Sequence, residues 1–330
     1  MHCTDASRGQ KLRALAPSHH RSPSLNPSSQ ASRTALATAL MRSIHSRSAP
    51  APLLDDTWGE RLVPDAVRTA FRERALVRRD ASATGTLEAA LDDAMRANAA
   101  YPDVILRSRY TEDALQDAVA RGITQYVLIG AGFDSFVCRV PDWAQGLDIY
   151  EVDHPATQPL KRQRLAACGV PPSASVHFVE ADLSAESLGA ALARSPFNTT
   201  QPAFFSWLGV TVYLTREANL AALRDIATCA AHGSELVFTY IDEAALHAGP
   251  EAFQKLRSDV AAVGEEFLSG FDPKTLGPLL RGTGLELLED IDGHAALARY
   301  DPAGRNGLQP AGAAHIAHAR VLSAAPSPAA

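Results

Sequence analysis

A short apolar run that breaks directly into glycines restricts this chain more than any other feature. Tyr126-Val127-Leu128-Ile129 is apolar at every position and too short for a helix, the pattern of a strand buried on both faces. Gly130-Ala131-Gly132-Phe133-Asp134 follows without a spacer. Side chains are absent at 130 and 132, so the chain can turn sharply and a ligand can approach the backbone closely. A two-glycine turn standing alone serves equally well as a structural bend. The order of the segments around it gives it weight.

Strand and helix patterns alternate from there. Leu147 to Val152 reads as a second strand and Gln158 to Cys168 as a helix. Val176 to Val179 and Ala203 to Trp207 read as the third and fourth strands. A helix beginning near Thr215 carries Leu220, Leu223 and Ile226 on one stripe, and Leu236 to Tyr240 supplies the fifth strand. A helix is expected around 251–268. Leu285 to Ile291 and His315 to Leu322 then pair as a terminal hairpin with a Gly-, Pro- and Asn-containing loop between them. The series predicts an α/β fold, a mostly parallel seven-stranded sheet with helices on both faces.

The 330 residues, 46% of them hydrophobic, suffice for one large domain with a cap. Thr111 and Asp113 have the short polar side chains of a helix start, and Gly122 ends that helix, so the core is expected at 111–322. Residues 35–110 read as a helical cap. Ala35 to Ile44 is its first helix, packing on the domain or covering its ligand, and Leu62, Val63, Val67 and Phe71 form a partial stripe. The first 50 residues hold one acid, Asp5, against seven Arg and Lys, so 1–34 is expected to be a disordered or targeting-like tail. Residues 323–330 read as a loose end.

A net charge of −6 argues against a broad nucleic-acid footprint. No segment has the apolar length of a membrane helix. Cys3, Cys138, Cys168 and Cys229 form no Cys-x-x-Cys pair, so reduced, mostly buried thiols are expected, and the histidines show no zinc spacing, so no metal ligand is assigned. The default location is cytoplasmic, with organellar targeting by the basic N-terminal segment as the alternative.

In an open α/β sheet the ligand lies beyond the carboxyl ends of the strands, where the Gly130 to Asp134 turn sits. Glu151 and Asp153 follow about 20 residues later at the end of the second strand, where a carboxylate can accept hydrogen bonds from two ribose hydroxyls. Strand alternation points both acids to the same side, which leaves the choice between them open; a charged strand end in water is the bland alternative. At the third strand end, Asp182-Leu183 offers a carboxylate and an apolar contact for a purine. The third glycine of a dinucleotide fingerprint is replaced by Ser135, and no Walker motif appears, so S-adenosylmethionine ranks above NAD or ATP.

With Arg107-Ser108-Arg109-Tyr110, Tyr150-Glu151-Val152-Asp153-His154-Pro155, Ala181-Asp182-Leu183 and Gly209-Val210-Thr211-Val212-Tyr213-Leu214 added to the glycine turn, the chain resembles the leucine carboxyl methyltransferase-like family in its bacterial, S-adenosylmethionine-dependent branch. The resemblance runs from about Ala35 to Phe238. It implies a Rossmann-like class I methyltransferase fold. It further implies that Arg109 binds the cofactor's carboxylate, that Gly130 and Gly132, with Asp134 in the same turn, shape the pocket, that Glu151 or Asp153 holds the ribose, and that Asp182 and Leu183 contact adenine. Tyr213 is a candidate substrate wall or catalytic group. Two positions depart from the family pattern: Phe136 stands where an arginine is common, and Leu208 where a glutamate often precedes Gly209.

The expected reaction is O-methylation of a small organic acid or secondary metabolite, in preference to a protein carboxyl terminus. A carboxylate acceptor is already nucleophilic, whereas a hydroxyl would need a base, for which His154 is the sequence candidate. An NAD-dependent oxidoreductase and a noncatalytic cofactor- or partner-binding protein are the competing readings. The cap carries no readable acceptor code, and the oligomeric state is unread.

Overall fold

The computed structural model describes residues 32–78, 86–171, 173–262 and 264–323. Its first helices are α1 (Arg33–Ser48), α2 (Gly59–Leu62), α3 (Asp65–Arg78), α4 (Leu87–Arg96) and α5 (Tyr101–Ala120). The chain continues through β1 (Gln125–Ile129), β2 (Asp148–Asp153), α6 (Gln158–Ala167), β3 (Val176–Glu180), α7 (Leu188–Leu192), β4 (Ala203–Trp207), α8 (Arg216–Cys229) and β5 (Glu235–Ile241). It ends with α9 (Glu243–Ala248), α10 (Glu251–Ala261), α11 (Pro273–Arg281), β6 (Leu285–Asp292), α12 (Gly293–Tyr300) and β7 (Ala314–Val321).

The seven strands form one sheet in the order β3-β2-β1-β4-β5-β7-β6. All neighbours are parallel except β7, which runs antiparallel to both β5 and β6. Period-two alternation divides β1 between two cores: Tyr126 and Leu128 enter the cluster under α1, α4 and α5, while Val127 and Ile129 enter the one under α7, α8 and α11. Hence the run is apolar at every position. The chain builds outward from β1 to β3 and then crosses back to β4, so strand order reverses between β1 and β4, and a crevice opens there.

Four expectations change. The helix expected to start at Thr111 starts at Tyr101, with Pro102 in its first turn and Val104, Ile105 and Leu106 buried. Thr111 is mid-helix, and its hydroxyl donates to the Arg107 carbonyl at 2.8 Å, sharing that acceptor with the helix's own bond, so it caps nothing. The 110/111 boundary between cap and core therefore falls inside one continuous helix. Between β6 and β7 the expected loop contains α12, capped by Asp292, whose carboxylate accepts from Ala295 N–H at 2.7 Å. Cys138, Cys168 and Cys229 are half-buried rather than buried. Ser32, Arg33 and Thr34, assigned to the tail, form the capped start of α1; residues 1–31, with Cys3, and 324–330 lie outside the described residues.

One ion pair fixes α1 to the sheet. Arg42 Nε donates to Asp56 at 2.8 Å, and its Nη2 donates to the Phe133 carbonyl in the glycine turn at 2.8 Å, all of it buried. Asp56 also accepts from the backbone N–H groups of Trp58 and Gly59. Burial alone would raise the pKa of Asp56, but Arg42 and Arg139 outweigh it and hold the carboxyl below its usual range. Arg42→Met leaves that carboxylate with Arg139 at 3.8 Å as its remaining cation. Urea denaturation at neutral pH should show a loss of about 3 kcal/mol. The wild-type advantage should shrink in acid as Asp56 takes up its proton.

Candidate functional site

The carboxyl ends of β1 and β4 open on a cavity of ≈ 230 Å³. Its floor is the Gly130 to Asp134 turn with Asp153, one wall is Leu208, Gly209 and Val210, and α1 and α5 contribute Thr34, Thr38, Arg42 and Arg107 above. Gly130 and Gly209 have φ of 67° and 69°. A Cβ on Gly130 would stand 2.6 Å from Val210 Cγ2, and one on Gly209 would stand 2.7 Å from the Arg107 guanidinium. Backbone conformation favours glycine at both positions, and a Cβ at 209 would push the Arg107 guanidinium aside.

The two acids at the end of β2 separate sharply. Asp153 lines the cavity, accepting from Gly132 N–H and His154 N–H, each at 2.8 Å. Burial raises its pKa, and those two N–H groups oppose the rise. Glu151 is fully buried beneath α6 with Lys161 Nζ 2.6 Å from its carboxylate. The contact is off the hydrogen-bonding direction, so neither oxygen has an aligned donor. Burial, only partly countered by Lys161, pushes Glu151 up to about 7. Expected as one of two ribose ligands, Glu151 is instead an internal group, because α6 covers the strand one rung before its end.

Asp134 lines the cavity and accepts from Phe136 N–H at 2.8 Å. Asp182 and Leu183 lie outside the cavity on the rim past Asp153, to whose carbonyl Ala181 N–H donates at 2.9 Å. Asp182 is engaged by the Ser184 hydroxyl and N–H, which hold its pKa below the usual range. His154 also lies outside: its Nδ1 accepts from Ala156 N–H at 3.0 Å, and its Nε2 is 3.8 Å from Asp182. Tyr213 borders the cavity, with burial raising its phenol to about 12.

Arg109 does not reach the crevice. It pairs with Asp113 at 2.8 Å and donates to the Leu53 carbonyl at 3.4 Å on another face of α5. Two residues along a helix are separated by ~200° of rotation, so Arg107 and Arg109 cannot serve one site. Arg107 is the guanidinium that α5 turns to the crevice, beside Arg42 of α1, which is already paired with Asp56. Arg107 makes no hydrogen bond or ion pair among the described residues, and burial lowers its pKa to about 10. The distinction had a signal in the sequence: Arg109 has an acid four residues on, a helical partner that spends its charge, whereas Arg107 has Thr111 there.

A second cavity, ≈ 100 Å³, adjoins the first and shares Thr34, Thr38, Arg107, Gly209 and Tyr213 with it. Val212, Phe253, Leu256, Val260 and Phe267 make most of it apolar, and Asp103, Tyr240 and His315 face it from α5, β5 and β7. The Asp103 carboxyl makes no hydrogen bond or ion pair among the described residues; burial raises it to about 7 against the pull of Arg107. None of these three was singled out from the sequence. Among the described residues no cluster of three or more His, Cys, Asp or Glu could hold a metal, and no helix is long and apolar enough to cross a membrane.

The leucine carboxyl methyltransferase family model matches residues 35–227. YktD of Bacillus subtilis (strain 168), named provisionally as an S-adenosyl-L-methionine-dependent methyltransferase, is 34% identical over 192 residues, 58% of this chain and 63% of that protein. A relative of the same provisional name from Mycolicibacterium paratuberculosis is 35% identical over 144 residues, 44% of this chain and 53% of that one. The chain thus spans less than two thirds of the length of these relatives. A structure from Thermobifida fusca YX, provisionally a methyltransferase, superposes with a TM-score of 0.56 at 18% identity, covering 93% of this chain and 100% of that one, which establishes a shared fold.

Gly130→Ala should cost about 1–2 kcal/mol in urea denaturation, from the left-handed backbone alone. For Asp103 the sign follows from a native pKa of about 7 above the ordinary 3.8. Its contribution is fully present below the lower value and is lost as pH rises through the higher one. Asp103→Asn lacks this loss, so its urea midpoint should gain on wild type between about pH 5 and about pH 8. A constant difference across that range would contradict the assignment.

Proposed function

We propose, for a chain that belongs to the leucine carboxyl methyltransferase family, that it transfers the methyl group of S-adenosylmethionine to an oxygen of a small organic acceptor. The observation that carries this reading is the pair of adjoining cavities, one bounded by a glycine turn, a carboxylate and an uncommitted arginine, the other apolar.

The residues present fit the cofactor. Arg107 presents a planar fork suited to an amino-acid carboxylate. Asp153 retains lone pairs for ribose hydroxyls beyond the two N–H groups it accepts. Gly130 and Gly132 let the ligand lie against the backbone, and Asp182 with Leu183 on the rim suits the adenine ring. Leu208, where the family often has a glutamate, leaves Arg107 as the charged side chain for the amino-acid end. Bound there, the cofactor supplies an electrophilic methyl group. This chain's task is to align the acceptor oxygen with that carbon and to keep water out, with Thr34 and Thr38 of α1 over both cavities. The apolar side chains of the second cavity support a small acceptor over a protein carboxyl terminus.

Calorimetry of the purified protein should show binding of S-adenosylmethionine and S-adenosylhomocysteine and none of NAD or ATP. Arg107→Ala should weaken S-adenosylhomocysteine by about 100-fold, the loss of a charge-assisted bidentate contact. Arg109→Ala should leave it unchanged. Binding of NAD in place of the adenosyl ligands would overturn the cofactor class, and an equal loss in Arg109→Ala would return the carboxylate contact to that residue.

A further inference from the structure

The sheet edge beside Arg107 carries a second set of polar groups that cofactor binding does not use. Because β7 runs antiparallel between β5 and β6, its first residues meet the last residues of both: His315 pairs in register with Tyr240 on one side and Asp292 on the other. Asp290 Oδ1 lies 3.2 Å from His315 Nδ1, and Asp290 Oδ2 accepts from the Tyr240 hydroxyl at 2.7 Å. The His315 ring stacks on Tyr240 with centroids 5.0 Å apart. Carboxylate and ring are therefore both held in place. With Nδ1–H donated to Asp290, the basic lone pair sits on Nε2, which has no partner among the described residues, and His315 lines the acceptor cavity.

We propose that the acceptor atom is a phenol-type hydroxyl on an apolar body, that His315 is the catalytic base which removes its proton, and that Asp290 is the positioning residue that orients His315. The inference rests on the methyl-transfer reading and names its substrate class. It also sets aside the carboxylate acceptor considered from the sequence. The groups facing His315 are Tyr240 from β5, Asp290 and Asp292 from β6, and Asp103 and Arg107 from α5. The one cation among them is Arg107, committed in this reading to the cofactor, so a carboxylate acceptor would enter among the acids Asp103, Asp290 and Asp292 with no uncommitted cation to receive it and would be disfavoured there. A neutral hydroxyl meets no such repulsion, and its proton has a place to go. As His315 Nε2 takes that proton, the acceptor oxygen forms its bond to the methyl carbon, and the carbon–sulfur bond breaks with its electron pair left on sulfur. The products are a methyl ether, the neutral thioether and one proton, which leaves His315 for solvent.

The probes are 4-nitrophenol and 4-nitrobenzoate, matched in size and added to full-length protein loaded with S-adenosylhomocysteine, so that no turnover intervenes. The phenol should bind at least about tenfold tighter than the carboxylate, and its visible absorbance should show it ionised at lower pH when bound than when free. His315→Gln should lower the ionised fraction of bound dye about tenfold while leaving S-adenosylhomocysteine affinity, and therefore the fold, intact. Asp290→Asn should shift the ionisation profile in the same direction by a smaller amount. Tighter binding of 4-nitrobenzoate, an unchanged profile in His315→Gln, or a protein that binds S-adenosylhomocysteine but not 4-nitrophenol would overturn the inference. Failure of the wild type to bind S-adenosylhomocysteine would instead sink the methyl-transfer reading beneath it.

Discussion

Arg42 reaches from α1 to the Phe133 carbonyl inside the glycine turn, and Asp56, shut away from water, balances its charge. The arrangement is costly to break, since removing either half strands the other in a low-dielectric interior. Its geometric effect is larger than its net contribution to stability. It pins a loop whose glycines would otherwise leave it many conformations, and it holds α1 at a fixed height above the sheet edge. Thr34 and Thr38 consequently lie over both cavities.

Arg107 and Gly209 form the boundary between those cavities. The guanidinium lies against the glycine so closely that any side chain at 209 would displace it. A turn following β4 thus sets the position of a charge carried by α5. The same β4–β5 edge holds Gly209 through its N–H, which donates to the Thr239 hydroxyl at 2.8 Å. Cofactor and acceptor would then be placed relative to each other by a side chain whose position the backbone limits, as in-line transfer demands.

The strand-then-glycine segment was legible because its chemistry is local: four apolar residues buried on both faces and a turn that tolerates no side chain. The succession of strands along the chain and the pairing of the last two were legible from the same kind of apolar run between turn residues. Glu151 and Asp153 could not be told apart, because period two aims both the same way and only the packing of α6 decides which is covered. Arg107 and Arg109 were separable in principle by the acid at 113, but the helix start placed at Thr111 concealed that both lie on one continuous helix. The second cavity left no sequence signal. It assembles Asp103, Tyr240, Phe253 and His315 from segments distant along the chain, and no spacing rule connects them.

The residues that would hold the cofactor fall almost entirely within 35–227, the span matched by the family model. Phe253, Leu256, Val260 and Phe267, which close the outer side of the second cavity, all lie after it. On the proposed reading, changes in α10 and the loop behind it would reshape the acceptor cavity while leaving the crevice proposed for the cofactor as it is. A lineage built on this plan can diversify its chemistry at one end of the chain without renegotiating the other.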